Sequence, residues 1–196
     1  MGTDASTFSY TGVLGSGVLL WGAQLETGSV ATSYIPTVAS TQTRTADSVT
    51  LTGASSLIGA TEGALYAEFE TRNSSASGWL LAVDADLSSN RIIFVRNSNN
   101  TISAIVTNGG VGQVNIATIA NLTGVQRLGF RYKENDFALY RLGNQIGTDV
   151  SGTLPTVSRI GIGCAGDGTN AFNGWIRSVV LFPTALDNAT LAALTQ

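Results

Sequence analysis

The sequence contains no histidine. That absence removes the Ser-His-Asp and Cys-His nucleophilic arrangements and the commonest metal ligand. There is a single cysteine, Cys164, so no intrachain disulfide can form and stability must come from packing or oligomerisation. Charge is scarce: 12% of residues are charged, the net charge is −3, and Lys133 is the one lysine. Nothing resembles the clustered basic surface that neutralises nucleic-acid phosphates, so no nucleic-acid partner is expected. No apolar run approaches the ~20 residues of a membrane-spanning helix, and membrane insertion is not expected. The longest, such as Val179-Val180-Leu181-Phe182, have the length of a strand. No stretch reads as a signal peptide, so the Asn-x-Ser/Thr triplets at Asn73, Asn99, Asn121 and Asn188 carry little weight as glycosylation sites. No Gly-rich segment leads into a helix that could hold a phosphate.

What is present suits strands. Glycine contributes 23 residues, and Ser, Thr and Asn fill much of the remainder. These residues lose to Ala and Leu in helix interiors and favour short strands joined by tight turns. The 43% apolar content is ample for a core.

Two regions separate along the chain, residues 1 to about 45 and 46 to 196. The first opens with a polar start over residues 1–7. It then shows one expected strand, Gly17 to Glu26, in which Leu19, Trp21, Ala23 and Leu25 share a face. A lone strand cannot bury such a face, so Leu19, Trp21 and Leu25 are candidate oligomer contacts. Residues 33–37 and 40–44 read as an extended linker, since Pro36 biases Ile35 away from helix.

The second region reads as strand after strand. Leu65 to Thr71 alternates with Leu65, Ala67 and Phe69 on one face, and Arg127 to Lys133 with Leu128, Phe130 and Tyr132 inward. Further strands are expected at Gly78 to Val83, Arg91 to Arg96, Thr101 to Thr107, Phe137 to Leu142, Gln145-Ile146, Ser158 to Cys164 and Gly174 to Phe182. Cys164 reads as a small buried hydrophobe. One short helix closes the chain, with Asp187 as N-cap and Leu186 and Leu191 at the spacing of a hydrophobic staple. About ten strands, one C-terminal helix and no βαβ alternation predict an all-β, antiparallel β-sandwich.

The chemistry is sparse. Glu68 and Glu70 lie two apart on one strand face, and a retaining glycosidase needs two carboxyls about 5–5.5 Å apart. The competing reading pairs them with Arg127, Arg131 or Arg141 on neighbouring strands. Asp84 and Asp86, with Ser88, Ser89 and Asn90 behind them, form an oxygen-rich loop of the kind calcium accepts. The loop lacks the spacing of a known calcium site, and a solvated turn is preferred, so no cofactor is assigned. Trp175 follows the loop Ala165 to Asn170. An exposed Trp beside Asp and Asn suits a sugar, whose apolar ring face stacks on indole while polar groups take its hydroxyls. Asp167, Asn170, Asn173, Trp175 and Arg177 are therefore the candidate carbohydrate-binding residues; the rival for Trp175 is packing in the core or at a subunit contact. Trp79, followed by Leu80 and Leu81, leans towards the core.

Two segments carry a resemblance. Trp21-Gly22-Ala23-Gln24-Leu25-Glu26-Thr27-Gly28, with Thr32-Ser33-Tyr34-Ile35-Pro36-Thr37, resembles a signature that recurs in bacteriophage tail-fibre, tail-spike and head-fibre proteins. There it closes one small β-sandwich and leads into the next domain, which implies that the chain begins inside a longer protein. Phe172 to Phe182, with Ala185-Leu186 and the terminal helix, resembles the closing strand and helix of concanavalin A-like (laminin-G-like) jelly rolls, a likeness extending over roughly residues 48 to 196. The two resemblances imply a virion fibre or spike module. Its partners would be bacterial surface glycan, bound without cleavage, its own sister chains in a homotrimer, and other virion proteins. They also imply that Trp175 and Arg177 are exposed. This fold hosts lectins, glucanases and structural domains alike, so a purely structural module and a depolymerising glycosidase stand as alternatives.

Overall fold

The computed structural model describes residues 13–26, 33–43, 47–72, 77–118 and 122–196. The polar start at residues 1–7, the signature positions Thr27, Gly28 and Thr32, Arg44 of the expected linker, and the triplets at Asn73 and Asn121 lie outside the described residues. The chain divides into two compact units, Met1–Thr45 and Ala46–Gln196.

The described residues of the first unit form no helix and no strand, so the expected strand over Gly17 to Glu26 is not found. The physical reason is local. Gly22 takes a φ of 68°, which glycine adopts freely and which breaks an extended alternation. The Tyr34 ring packs 3.3 Å from where a Cβ of Gly22 would stand and meets Trp21 edge to face at 5.7 Å. A side chain, not a backbone ladder, ties the two segments: the Ile35 N–H donates to Gln24 Oε1 at 2.7 Å. Leu19, Trp21 and Leu25 are 96%, 84% and 101% exposed.

The second unit carries strands β1 (Val49–Thr52), β2 (Glu62–Thr71), β3 (Gly78–Asp84), β4 (Arg91–Arg96), β5 (Ile102–Asn108) and β6 (Val111–Ala117). It continues with β7 (Val125–Lys133), β8 (Asp136–Arg141), β9 (Asn144–Asp149), β10 (Arg159–Ile162), β11 (Gly174–Phe182) and helix α1 (Asn188–Leu194). They pair antiparallel into a six-stranded sheet, β1-β10-β3-β4-β5-β6, and a five-stranded sheet, β11-β2-β7-β8-β9. The fold is thus the antiparallel sandwich that the sequence predicts, with its one short C-terminal helix.

The core lies between the sheets. Leu65, Ala67 and Phe69 of β2 and Leu128, Phe130 and Tyr132 of β7 face Leu81, Val83, Ile92, Phe94, Ala104 and Val106. Phe130 stacks on Phe137 and meets Phe94 edge to face. Burying such side chains contributes about 1.5–3 kcal/mol each, an upper bound because unfolded chains are partly collapsed. Helix α1 covers part of the outer face of the five-stranded sheet. Leu191 and Thr195 pack over Gly129, each 3.1 Å from where a Cβ would stand, so only glycine lets the helix seat this closely. Asp187 caps the helix by accepting from the Thr190 N–H at 2.7 Å, and Leu186 joins Leu191 in one apolar cluster as the staple predicts.

A second apolar layer covers the outer face of the six-stranded sheet: Trp79, Ala82, Ile93 and Val95 pack with Ala165 and Leu87. Trp79 is buried, as its apolar neighbours suggest. One side of the sandwich is closed where Ile116 of β6 meets Gly147 of β9. On the other side, between edge strands β1 and β11, a cleft of about 560 Å³ opens over Val49, Ile162, Phe172, Ile176 and Val179.

Candidate functional site

Residues 163–173 carry the chain from β10 in one sheet to β11 in the other, and backbone geometry makes the turn. Gly163, Gly168 and Asn170 adopt φ of 72°, 85° and 55°. The Gly168 N–H donates to Ala165 O, and the Ala165 N–H donates to Thr169 O. Asp167 Oδ1 accepts from the Thr169 N–H at 3.0 Å and its hydroxyl at 2.7 Å. Those bonds hold the Asp167 carboxyl below its usual range. The loop is pinned at its end: the Trp79 N–H donates to Asn170 O at 2.8 Å, and the Phe172 ring enters the core against Phe69 at 5.9 Å.

Asp167, Asn170, Asn173, Trp175 and Arg177 are all exposed, yet they fall into two groups. Gly166 donates its N–H to Asp84 on the six-stranded sheet, so Asp167 and Asn170 belong to that side. Trp175 stands on the outer face of the five-stranded sheet, opposite Glu70 of β2. Arg177 sits at a register shift in β11, which lets it reach the same Glu70 at 3.3 Å. The Arg72 guanidinium lies 4.2 Å from the centroid of the Trp175 ring. Asn173 meets this group through its backbone, accepting from the Arg72 N–H at 3.2 Å. Trp175 itself is 52% exposed. The surface is a braced indole flanked by cations and one carboxylate, a platform on which a flat apolar ring face can stack.

Glu68 accepts from Arg127 Nε at 3.1 Å and from the Tyr66 hydroxyl at 3.4 Å. Burial and the Glu68 charge raise the Tyr66 pKa. Of the sequence pairings, Glu68 with Arg127 is found. Glu70 takes Arg177 of β11 instead, because Arg131 is engaged by Asp136 and Arg141 by Gln126. Both glutamates therefore face cations.

Asp84 and Asp86, the weak calcium candidates beside the preferred reading of a solvated turn, turn their oxygens to different partners. Asp84 is fully buried, with Oδ1 on Arg159 Nε at 2.7 Å and Oδ2 on the Gly166 N–H at 2.9 Å. Asp86 accepts the N–H groups of Ser88, Ser89 and Asn90 and the Asn90 side chain. These donors lower its pKa to about 2, the Ser89 N–H foremost. Oxygens turned to N–H donors are not presented to a metal.

Sequence reasoning missed a groove of about 410 Å³ on the outer face of the six-stranded sheet. Its lining includes Ser88, Arg91, Ile105, Thr107, Gly112 and Asn115. Strand β6, which supplies one wall, was not among the expected strands. Its signal was present: Val114 and Ile116 point inward while Asn115 points out, a period of two masked by Gly112 and by the register shift beside it.

No protein-family profile matches the sequence, and no curated protein matches it. Solved structures do match the fold. The carbohydrate-binding module CBM40 of the Ruminococcus gnavus IT-sialidase, bound to alpha2,3 sialyllactose, superposes with a TM-score of 0.58 at 15% identity, covering 69% of this chain and 83% of that one. Domain 4 of AbnA, a GH43 extracellular arabinanase from Geobacillus stearothermophilus in complex with arabinotriose, gives 0.57 at 14%, covering 71% and 69%. A heptameric SAP-like pentraxin from Limulus polyphemus gives 0.54 at 12%, covering 69% and 70%. At these identities the likeness is one of fold, and the second unit is a β-sandwich of the concanavalin A-like jelly-roll kind.

Proposed function

We propose that the second unit binds carbohydrate without cleaving it, as the receptor-recognition module of a bacteriophage fibre or spike whose target is bacterial surface glycan. The observation that carries the reading is Trp175, a half-exposed indole on a rigid strand, braced by Arg72 and flanked by Glu70 and Arg177. A pyranose stacks its apolar face on such a ring while charged neighbours and the Asn173 side chain take its hydroxyls. Two of the fold neighbours named above were solved with oligosaccharides bound, which supports this class of ligand. The virion assignment rests on the fibre-like signature at Trp21 to Thr37.

The absence of cleavage is argued from Glu68 and Glu70, whose carboxylates are held by Arg127 and Arg177. Glycoside hydrolysis needs its two carboxyls aimed at the scissile bond, whereas these two are each engaged by an arginine side chain. The fibre resemblance implies a homotrimer, and the exposed Leu19, Trp21 and Leu25 suit burial against sister chains. Linking weak sites in this way raises avidity by roughly 10²–10⁴. A glycan array probed with the purified chain tests the reading: binding without sugar release, weakened by Trp175→Ala, supports it. An assembled, folded protein that binds no glycan assigns Trp175 to packing and the chain to a structural role.

A further inference from the structure

We infer that the groove on the six-stranded sheet is a second glycan subsite, separate from Trp175 and built for a sugar residue that carries a carboxylate. The inference extends the carbohydrate reading to a different surface. Three observations support it.

The first is charge. Arg127, Arg131, Lys133, Arg159 and Arg177 each have a carboxylate partner, whereas Arg91 in the groove, like Arg141 on the other sheet, has none among the described residues. Its guanidinium is nevertheless fixed in place. Nη1 donates to Leu87 O, Nε donates to Thr107 Oγ1 at 3.3 Å, and the group lies 5.3 Å from the centroid of the Trp79 ring. Nη2 has no hydrogen bond among the described residues and is left for a ligand, and a fixed guanidinium loses little freedom on meeting a carboxylate.

The second is rigidity. Asp86 gathers the N–H groups of Ser88, Ser89 and Asn90, so its carboxylate oxygens are turned into the wall. The same wall is tied to the β5–β6 turn: Gly110 N–H donates to Ser89 O at 3.0 Å and Gly109 N–H to Asn90 Oδ1 at 3.1 Å. A groove held open before binding avoids an ordering cost.

The third is bare backbone. A Cβ at Gly112 would meet nothing within 4 Å, and its φ is not in the left-handed region. Glycine is therefore not required there by strain or by crowding. Its absence of side chain leaves space beside Ser88 and Asn115, where a ligand can approach the edge strand. The groove volume of about 410 Å³ falls in the range of small-ligand clefts.

The same fact supplies the test, because Gly112→Leu fills the groove without straining the fold. Calorimetric titration of the full chain would compare 3′-sialyllactose with lactose, and a glucuronate oligosaccharide with its glucose counterpart, alongside an array of acidic and neutral glycans. The expected result is at least tenfold tighter binding of an acidic probe than of its neutral match. Gly112→Leu should lose that binding with thermal unfolding unchanged, Arg91→Gln should lose the preference, and Trp175→Ala should retain it. Acidic binding unaffected by Gly112→Leu, equal binding of neutral and acidic probes, or no acidic glycan bound at all would each overturn the inference. Binding lost in Trp175→Ala but untouched in Gly112→Leu would overturn it while leaving the Trp175 surface standing.

Discussion

The Arg72 guanidinium lies over the indole of Trp175, 4.2 Å from the ring centroid. The two residues belong to different segments: Arg72 follows β2, and Trp175 is the second residue of β11, opposite Glu70. Their contact holds the half-exposed ring in one orientation, and orientation is what a stacking platform needs. A cation–π contact at an exposed site is worth about 0.5–1 kcal/mol. Arg72→Ala should therefore weaken glycan binding about two- to fivefold, read by titration calorimetry, and leave the unfolding midpoint nearly unchanged.

A second prediction concerns the anchor beneath the loop. Asp84 is fully buried and holds both Arg159 and the Gly166 N–H. Removing one partner of a buried pair leaves an uncompensated charge and costs about 3–5 kcal/mol. For a unit of this size, Asp84→Ala should lower Tm by the order of 10 °C. An Arg159→Ala, Asp84→Ala double variant should lose much less than the sum of the two single changes.

The pH dependence of stability has a defined sign. The folded-state pKa of Asp86 is depressed from 3.8 to about 2 by its N–H donors. A depressed carboxyl contributes stability that is fully present above its unfolded pKa and is lost as pH falls through the folded value. Denaturant titrations from pH 5 to pH 2 should show that acid limb, and Asp86→Asn should flatten it. An unchanged limb in the variant would mean that other carboxylates carry the effect.

How much of this was legible in the sequence follows from what each segment faces. β7 could be read residue by residue because one of its faces is core and the other carries Arg127, Arg131 and Lys133, so burial imprints a clean alternation. The helix was legible from its cap and staple, which are local chemistry. β1 was missed because four residues carry too little pattern, and β6 because Gly112 and the register shift interrupt it. The segment Gly17 to Glu26 shows the opposite failure: apolar alternation alone does not make a strand without a backbone partner, and Gly22 breaks the extension. The candidate site was only half legible. Proximity in sequence suggested one cluster from Asp167 to Arg177, but the positive-φ turns at Gly163, Gly168 and Asn170 lead the chain across the sandwich. Asp167 and Asn170 are left on the side opposite Trp175. Arg72, Glu70 and Arg91 could not be placed because strand pairing, not sequence distance, brings them to their partners.

The oligomer reading makes its own prediction. If Leu19, Trp21 and Leu25 are covered by sister chains, light scattering of the purified protein should give about three times the 20.3 kDa of one chain. Leu19→Glu with Leu25→Glu should shift that mass towards the monomer and leave the fold of the second unit intact by circular dichroism. A monomer in the unmodified protein would contradict the trimer.

The central claim is that Trp175 forms a non-cleaving sugar platform, and the most direct test is a glycan-array screen of the purified protein with released reducing ends assayed on the same glycans. The predicted result is binding with no product, reduced at least tenfold for neutral glycans in Trp175→Ala and unchanged in Glu68→Gln. Neutral-glycan binding that survives Trp175→Ala in full, or sugar release that Glu68→Gln abolishes, would contradict it.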